Sequence, residues 1–122
     1  MVARNFRQTF MKKIEAVIQP FKLDDVKEAL SAIGTQGLTV HEVIGFFGRR
    51  ERTEIYRGQE YVIDFLPQVK LEVIVIDELA AQVVQIIERE ARSGAKFDGK
   101  ILVLPIDEAV RIRTGERGAS AL

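Results

Sequence analysis

The 122-residue sequence predicts an α+β fold, a four-stranded antiparallel sheet that carries two helices on one face. Apolar and polar residues alternate in several short segments, which is the period of a half-buried strand. Two longer segments repeat their apolar residues every three to four positions, which is the period of a helix. The segments follow one another as strand, helix, strand, loop, strand, helix and strand, and this order matches the split βαβ arrangement.

The first half of the chain predicts a strand, a helix and a second strand. Alternation over residues 13–19 indicates the first strand. The next segment has helical spacing and runs to Ile33, with Asp24 or Asp25 as the residue that caps its start. A second strand is expected from about 38 to 44, which completes the first strand–helix–strand unit.

A long loop is predicted between the second and third strands. Residues 45–59 contain several glycines and arginines and show little periodicity. Long segments without regular structure are uncommon inside a compact domain, and they are usually functional or disordered. The third strand begins around Tyr61 and alternates cleanly over 69–75.

The second half predicts a helix and two short strands. Asp77 can cap the helix, and Ser93–Gly94 ends it. Short strands are expected at 100–105 and 110–113. Apolar residues also lie on the sheet face away from the helices, namely Val17, Ile74 and Leu102 or Leu104. Because a monomer seldom exposes such a patch, we expect the chain to form oligomers.

Composition narrows the class of protein. The 18 basic residues balance 18 acidic ones, which argues against a dedicated nucleic-acid-binding protein. There is no cysteine, so disulfides and thiolate metal sites are excluded. No apolar run approaches the ~18 residues of a membrane span, and residues 1–10 lack the apolar core of a secretory signal. We therefore expect a cytoplasmic protein with a disordered leader over 1–10 and one domain over 11–122.

Two segments have features of a phosphate site. Arg111 and Arg113 share one face of the predicted last strand, and paired guanidinium groups suit bidentate capture of phosphate oxygens. A solvated surface pair of arginines is the alternative. The loop 93–100 places glycines before Lys100, so that backbone amides can approach a phosphate. Its spacing is not that of a Walker A loop, and an ordinary helix-to-strand connection is the alternative.

Groups suited to catalysis are sparse. His41 is the only histidine, and a lone histidine on a strand is more often a packed or surface residue than a catalyst. The carboxylates are scattered, and no serine or threonine has a recognisable base partner. We therefore expect neither enzymatic activity nor a metal site.

Several motifs, in the same order along the chain, resemble the PII family of signal-transduction proteins over residues 11–122. They are Lys-Lys-Ile-Glu-Ala at 12–16, Pro-Phe-Lys-Leu-Asp-Asp-Val at 20–26, the T-loop-like Thr-Glu-Ile-Tyr-Arg-Gly-Gln-Glu-Tyr at 53–61, Asp-Phe-Leu-Pro at 64–67, and the segment 110–116. The resemblance implies a ferredoxin-like homotrimer that binds ATP or ADP in clefts between subunits. It also implies binding of 2-oxoglutarate through Mg-ATP. Protein partners would be reached through the T-loop, such as an ammonium transporter, a nucleotidyltransferase or a metabolic enzyme.

The resemblance also assigns residues by position. The nucleotide would contact Thr39, Gly45, Ser93, Gly99, Lys100, Arg111 and Arg113. Partners would contact the T-loop residues Arg49, Arg50, Arg52 and Tyr56. Tyr61 matches the tyrosine that is uridylylated in proteobacterial members, with an unmodified hairpin aromatic as the alternative.

The chain departs from the family pattern where ligand binding depends on it. Gly48 replaces an arginine that contacts nucleotide phosphates, and Arg49 replaces a glutamine that helps to bind magnesium. Gln68 replaces the lysine that pairs with 2-oxoglutarate. A lost charge-assisted contact costs about 1.5–3 kcal/mol, so we expect 2-oxoglutarate binding to be lost or severely weakened. Phe97 replaces a glycine of the phosphate loop, where a Cβ restricts positive φ, which leaves retained and weakened nucleotide binding both open.

Two functions follow from the sequence. The first is a divergent PII-type regulator that reads adenine nucleotides and controls proteins of nitrogen or carbon metabolism. The second is a trimeric interaction scaffold that no longer binds nucleotide, and assays with ATP and ADP distinguish the two. An acylphosphatase-like enzyme on the same fold is disfavoured, because that class needs an asparagine in its site and the only asparagine is Asn5.

Overall fold

The computed structural model describes residues 10–35, 37–46, 52–56, 59–63 and 65–122, and for 46, 52–56 and 59–63 it describes the backbone alone. The elements are, in order, β1 (Met11–Ile18), α1 (Leu23–Ala32), β2 (Thr39–Phe46), β3 (Arg52–Tyr56), β4 (Gln59–Ile63), β5 (Phe65–Ile76), α2 (Asp77–Ala91) and β6 (Lys100–Ile106). Short 3₁₀ turns lie at Pro20–Lys22 and Gly118–Ala121. Residues 1–9 of the predicted leader lie outside the described residues, so its disorder stays a prediction.

Four of the strands form one antiparallel sheet with the order β2-β5-β1-β6. Strand β1 lies in the middle, where Ile14 is opposite Val73 of β5 and Val103 of β6. Strand β2 pairs with β5 along its whole length. This order, with the two helices in the crossovers, confirms the predicted ferredoxin-like fold.

One hydrophobic core lies between this sheet and the two helices. Along β1 and β5 every second side chain is buried, because neighbouring residues of a strand point to opposite faces. The strand residues of the core cluster are Ile14, Ala16, Ile18, Val69, Leu71, Val73 and Val75. The helices contribute Val26, Leu30, Val83, Ile86, Ile87 and Ala91. For β1, β5 and the two helices, the apolar spacing of the sequence therefore matches the face that is buried.

The other face of the sheet combines ion pairs with apolar side chains. Lys70 Nζ lies 3.0 Å from Glu15 Oε1 and 3.6 Å from Glu72 Oε1. The hydrogen bond between Lys70 and Glu15 lowers the pKa of that carboxyl and raises the pKa of the ammonium. The predicted apolar residues Val17, Ile74, Leu102 and Leu104 do lie on this face. Ile74 is 37% exposed and Leu102 is 48% exposed, so an apolar surface is open in the single chain.

The segment predicted as a long loop contains a hairpin. Strand β2 extends to Phe46, and β3 and β4 pair from Arg52 opposite Ile63 to Tyr56 opposite Gln59. Tyr61 therefore belongs to β4, whereas it was predicted to begin the third strand of the main sheet. The sequence around this hairpin is rich in glycine and arginine, and each of its strands has only five residues. The alternation of apolar and polar residues was therefore too short to predict the two strands.

The predicted aspartate caps are not formed. Helix α1 begins after Lys22 and helix α2 after Ile76, and neither of these residues makes a capping hydrogen bond through its side chain. Asp24 lies in the first turn of α1, where its charge interacts favourably with the helix dipole. Asp77 is the first residue of α2, and its Oδ1 lies 2.7 Å from Lys12 Nζ. The two aspartates therefore do lie at the helix starts. Asp24 acts there through its charge and Asp77 through an ion pair, and neither acts as a cap.

Candidate functional site

The loop between α2 and β6 is organised around the carboxylate of Asp98. Its Oδ2 accepts hydrogen bonds from the backbone N–H groups of Ser93 and Gly94, both at 2.8 Å. Its Oδ1 accepts from the hydroxyl of Ser93 and, at 2.7 Å, from the carboxamide of Gln19. These donors, with the Ser93 hydroxyl contributing most, lower the pKa of Asp98 to about 2 although desolvation opposes them. The loop therefore stabilises the ionised form of Asp98.

Replacing Asp98→Asn should destabilise the protein in a pH-dependent way. Because folding lowers the pKa of Asp98 from 3.8 to about 2, its stabilisation is fully present above about pH 4 and is lost as pH falls through about 2. Urea unfolding should thus show that the unaltered protein has a higher free energy of unfolding than Asp98→Asn at pH 7, and that this difference disappears towards pH 2. Asp107→Asn, at an exposed position after β6, is the control. A difference that stays constant down to pH 2 would contradict this role.

Gly99 joins this loop to β6 at a point where only glycine fits. Its φ is +93°, and a Cβ added there would lie 1.7 Å from the carbonyl oxygen of Val17. Gly94, with φ of +87°, has open space around the same position. Lys100 then begins β6 opposite Val17. The close approach of Gly99 therefore fixes the start of β6, and with it Lys100, against the end of β1.

Gln68 is a buried polar residue of β5 that contacts the same loop. It is 6% exposed, and its Nε2 donates to the carbonyl oxygen of Phe97 at 3.4 Å. Two positions at which the chain departs from the family pattern are therefore in contact with each other. The side chain at position 68 carries no charge, and its carboxamide makes a hydrogen bond within the same chain.

Candidate phosphate ligands line two separate cavities. Gly99 and Lys100 line an open cavity of about 410 Å³ beside the end of α2. Thr39 and Arg111 line another of about 340 Å³, together with Leu122. Lys100 begins β6 at one edge of the sheet, whereas the second cavity lies beside the start of β2 at the other edge and is also lined by Glu72 and Ile74 of β5. Within one chain, Lys100 and Arg111 are not brought to a common site.

The predicted strand over 110–113 is wrong. Val110 makes only an isolated bridge with Arg117. Between them the chain turns back, because Gly115 has φ of +75° and its N–H donates to the carbonyl oxygen of Arg111 at 2.7 Å. The argument that Arg111 and Arg113 share a strand face therefore does not hold.

Arg111 is instead held by the last residues of the sequence. Its Nε donates to the main-chain oxygen of Ala121 at 3.3 Å, and a terminal nitrogen donates to that of Leu122 at 2.6 Å. Arg113 lies in the turn and is exposed. Of the predicted arginine pair, Arg111 alone lines the described cavity beside the start of β2.

The remaining predicted site residues are placed as follows. Gly45 is half-buried in β2, opposite Leu66. Arg52 and Tyr56 lie in β3, and Tyr61 lies in β4, where the backbone alone is described. Gly48, Arg49 and Arg50 lie outside the described residues.

Gln19 is a residue of the loop site that the sequence did not indicate. Its contact with Asp98 joins positions 79 residues apart, and no local pattern marks such a pair. Asp98 lies within the predicted loop 93–100, and the signal for its role is its place five residues after Ser93, within reach of the N–H groups at the end of α2. Among the described residues, no cluster of three potential metal ligands occurs, and none of the helices described has the length and apolar character to cross a membrane.

The geometry defines a small ferredoxin-like α+β protein with cationic residues near both edges of its sheet and a fastened loop before β6. Comparison with known proteins agrees with this description. The family model described as nitrogen regulatory protein P-II matches residues 11–116. Over 112 residues, which are 92% of this chain and 100% of each relative, the chain is 56% identical to nitrogen regulatory protein P-II of Rhodospirillum rubrum and 54% identical to that of Azospirillum brasilense.

A solved structure is similar as well. The crystal structure of Arabidopsis thaliana PII bound to citrate superposes with a TM-score of 0.77 at 36% identity, and the match covers 94% of both chains. The chain belongs to the nitrogen regulatory protein P-II family. The resemblance recognised from the sequence motifs is thereby confirmed.

Proposed function

We propose that this chain is a PII-type regulator that reads ATP and ADP at clefts between the subunits of a homotrimer. It acts in the cytoplasm, and its T-loop controls partner proteins of nitrogen or carbon metabolism, such as an ammonium transporter, a nucleotidyltransferase or a metabolic enzyme. Its response to 2-oxoglutarate is weakened or lost. Membership of a regulatory family supports regulation as its role, rather than catalysis.

The observation that carries the proposal is the separation of the candidate phosphate ligands. Lys100 lies at the β6 edge of the sheet and Arg111 beside the start of β2, where they line separate cavities of the single chain. If the β6 edge of one copy faces the β2 region of the next, Lys100 and Arg111 from neighbouring copies meet in one cleft. A nucleotide with several phosphate groups is then held by two subunits, which requires an oligomer.

The open face of the sheet supports the oligomer. Ile74 and Leu102 are exposed there, while Lys70 and Lys13 balance the charges of Glu15 and Glu72 within the chain. A surface with apolar side chains and already paired charges can be buried against other copies with little cost from unpaired charge.

Gln68 supports the loss of the 2-oxoglutarate response. An anionic dicarboxylate needs a cationic partner in a partly desolvated site, and a neutral carboxamide supplies only an ordinary hydrogen bond. In this chain that carboxamide donates to Phe97, so it would first have to leave this contact.

Titration calorimetry tests the proposal. The protein should bind ATP and ADP at nucleotide concentrations below about 1 mM, and should bind 2-oxoglutarate weakly or not at all in the presence of Mg-ATP. The double variant Arg49→Gln/Gln68→Lys should raise the affinity for 2-oxoglutarate by roughly 10–150-fold, because it restores one charge-assisted contact. Arg49→Gln/Gln68→Met, which is neutral at position 68, is the matched control. Tight binding of 2-oxoglutarate by the unaltered protein would refute the loss of this response.

A trimeric scaffold without nucleotide binding is the second candidate. The observation that favours it is the engagement of Arg111 by the main-chain oxygens of Ala121 and Leu122, which occupies the guanidinium that a phosphate would need. The same titrations decide between the two. No heat of binding from either nucleotide at about 1 mM, with the trimer intact by light scattering, would establish the scaffold.

A further inference from the structure

Gln19 links the loop before β6 to the main sheet. It follows β1 directly, and its side chain is half-buried. Its carboxamide nitrogen donates to Asp98 Oδ1 at 2.7 Å and to Ser93 Oγ at 3.1 Å. The resemblance to the family assigned no role to this residue.

The bond from Gln19 differs in kind from the other bonds to Asp98. The hydrogen bonds from Ser93 and Gly94 close the loop on itself, since donors and acceptor lie within residues 93–98. The carboxamide of Gln19 instead ties that closed loop to the end of β1. Gln68 also holds this loop, through its 3.4 Å contact to the carbonyl oxygen of Phe97, so release of Gln19 would loosen the hydrogen-bonded unit on the side of β1.

Lys100 is paired with Val17 at the start of β6, so a change in the loop would act first on the backbone of Asp98 and Gly99 beside it. The carboxylate of Asp98 precedes Gly99, whose approach to Val17 leaves no free space on that side. The next two residues after Asp98 are Gly99 and Lys100, whose backbone N–H groups are the candidates for phosphate contact. Contacts to a ligand depend on geometry held to within about 0.5 Å, so a small displacement of this loop is enough to weaken them.

We propose that Gln19 is a positioning residue for phosphate binding, because its carboxamide holds the loop 93–99 in the orientation in which Gly99 and Lys100 meet a nucleotide phosphate. This inference rests on the proposed nucleotide-binding function, and adds to it the residue that sets the geometry of the loop. Position 19 therefore needs a hydrogen-bond donor, because the ionised carboxylate of Asp98 can only accept.

Three substitutions separate donation from packing. Gln19→Glu keeps the shape of the side chain, removes the donor and sets a second carboxylate against Asp98. Gln19→Met keeps the length without polarity, and Gln19→Lys keeps a donor and adds a positive charge. We expect Gln19→Glu to lower the affinity for ADP about tenfold or more, Gln19→Met to lower it less, and Gln19→Lys to retain most of it. Gln82→Glu, the same change at an exposed position of α2, should leave the affinity unchanged. If Gln19 served only packing, the uncharged Gln19→Met would be the mildest of the three and Gln19→Lys would not retain more affinity than it.

Amide hydrogen exchange supplies a second readout that does not depend on ligand charge. Exchange at Ser93 and Gly94 should be faster in Gln19→Glu than in the unaltered protein and nearly unchanged in Gln19→Lys. Unchanged ADP affinity and unchanged exchange in Gln19→Glu would overturn the inference while nucleotide binding stands. Failure of the unaltered protein to bind either nucleotide would instead overturn the proposed function, and with it the part of Gln19 in phosphate binding.

Discussion

Gly99→Ala should lower the free energy of unfolding by about 4 kcal/mol or more, which is a large share of the ~5–15 kcal/mol of a typical domain. The added Cβ would lie 1.7 Å from the carbonyl oxygen of Val17, which is backbone and cannot rotate away. The positive φ of +93° adds strain that any side chain would suffer. Either β1 and β6 separate at this point, or the loop must adopt another path.

Gly94→Ala is the matched control for this prediction. Gly94 has a similar φ of +87°, but nothing lies within 4 Å of the added Cβ. It should therefore cost only the conformational strain, about 1 kcal/mol. Urea unfolding monitored by circular dichroism measures both variants. Equal stabilities would mean that the close approach at Val17 does not constrain the loop.

The double variant Lys100→Ala/Arg111→Ala should bind ATP and ADP about 10²- to 10⁴-fold more weakly than the unaltered protein. Each side chain is proposed to supply a charge-assisted contact of about 1.5–3 kcal/mol, and every 1.4 kcal/mol is about a tenfold change in affinity. Titration calorimetry gives the affinities. Lys27→Ala/Arg89→Ala removes the same charge from exposed positions on the two helices, and should bind nucleotide nearly as well as the unaltered protein.

Mixed oligomers test whether one cleft takes its two cations from different chains. Lys100→Ala and Arg111→Ala single variants should each bind weakly. When the two are refolded together, a cleft that combines Lys100 from one chain with Arg111 from its neighbour is intact, and tight binding should return at a fraction of the sites. Binding that remains weak in the mixture would mean that both cations act from the same chain.

The sequence was most informative where structure depends on periodicity. Alternation over β1 and β5 identified the buried face, since a strand places every second residue in the core. The same rule failed after Val110, where two arginines at i and i+2 looked like a strand pair. There Gly115 turns the chain, and one residue with positive φ outweighs the pattern of its neighbours.

The candidate site was predictable only in part. Lys100, Gly99 and Ser93 were found because a local run of residues marks the loop. The contact from Gln68 to Phe97 and that from Gln19 to Asp98 join distant parts of the chain. Such contacts are fixed by the register of the sheet, and the sequence carries no local signal for them.

The pairing of Phe46 with Phe65 has a consequence for how this family can diversify. The chain leaves the main sheet at one and returns at the other, and partners across an antiparallel ladder lie only about 4.5–5.5 Å apart. The ends of the intervening segment are therefore brought together by the sheet, and doubling its length would cost only about 0.6 kcal/mol in loop-closure entropy. Insertions, deletions and wholesale replacement of this segment can accumulate in evolution, or be introduced by grafting, without shifting the register of the strands that carry it.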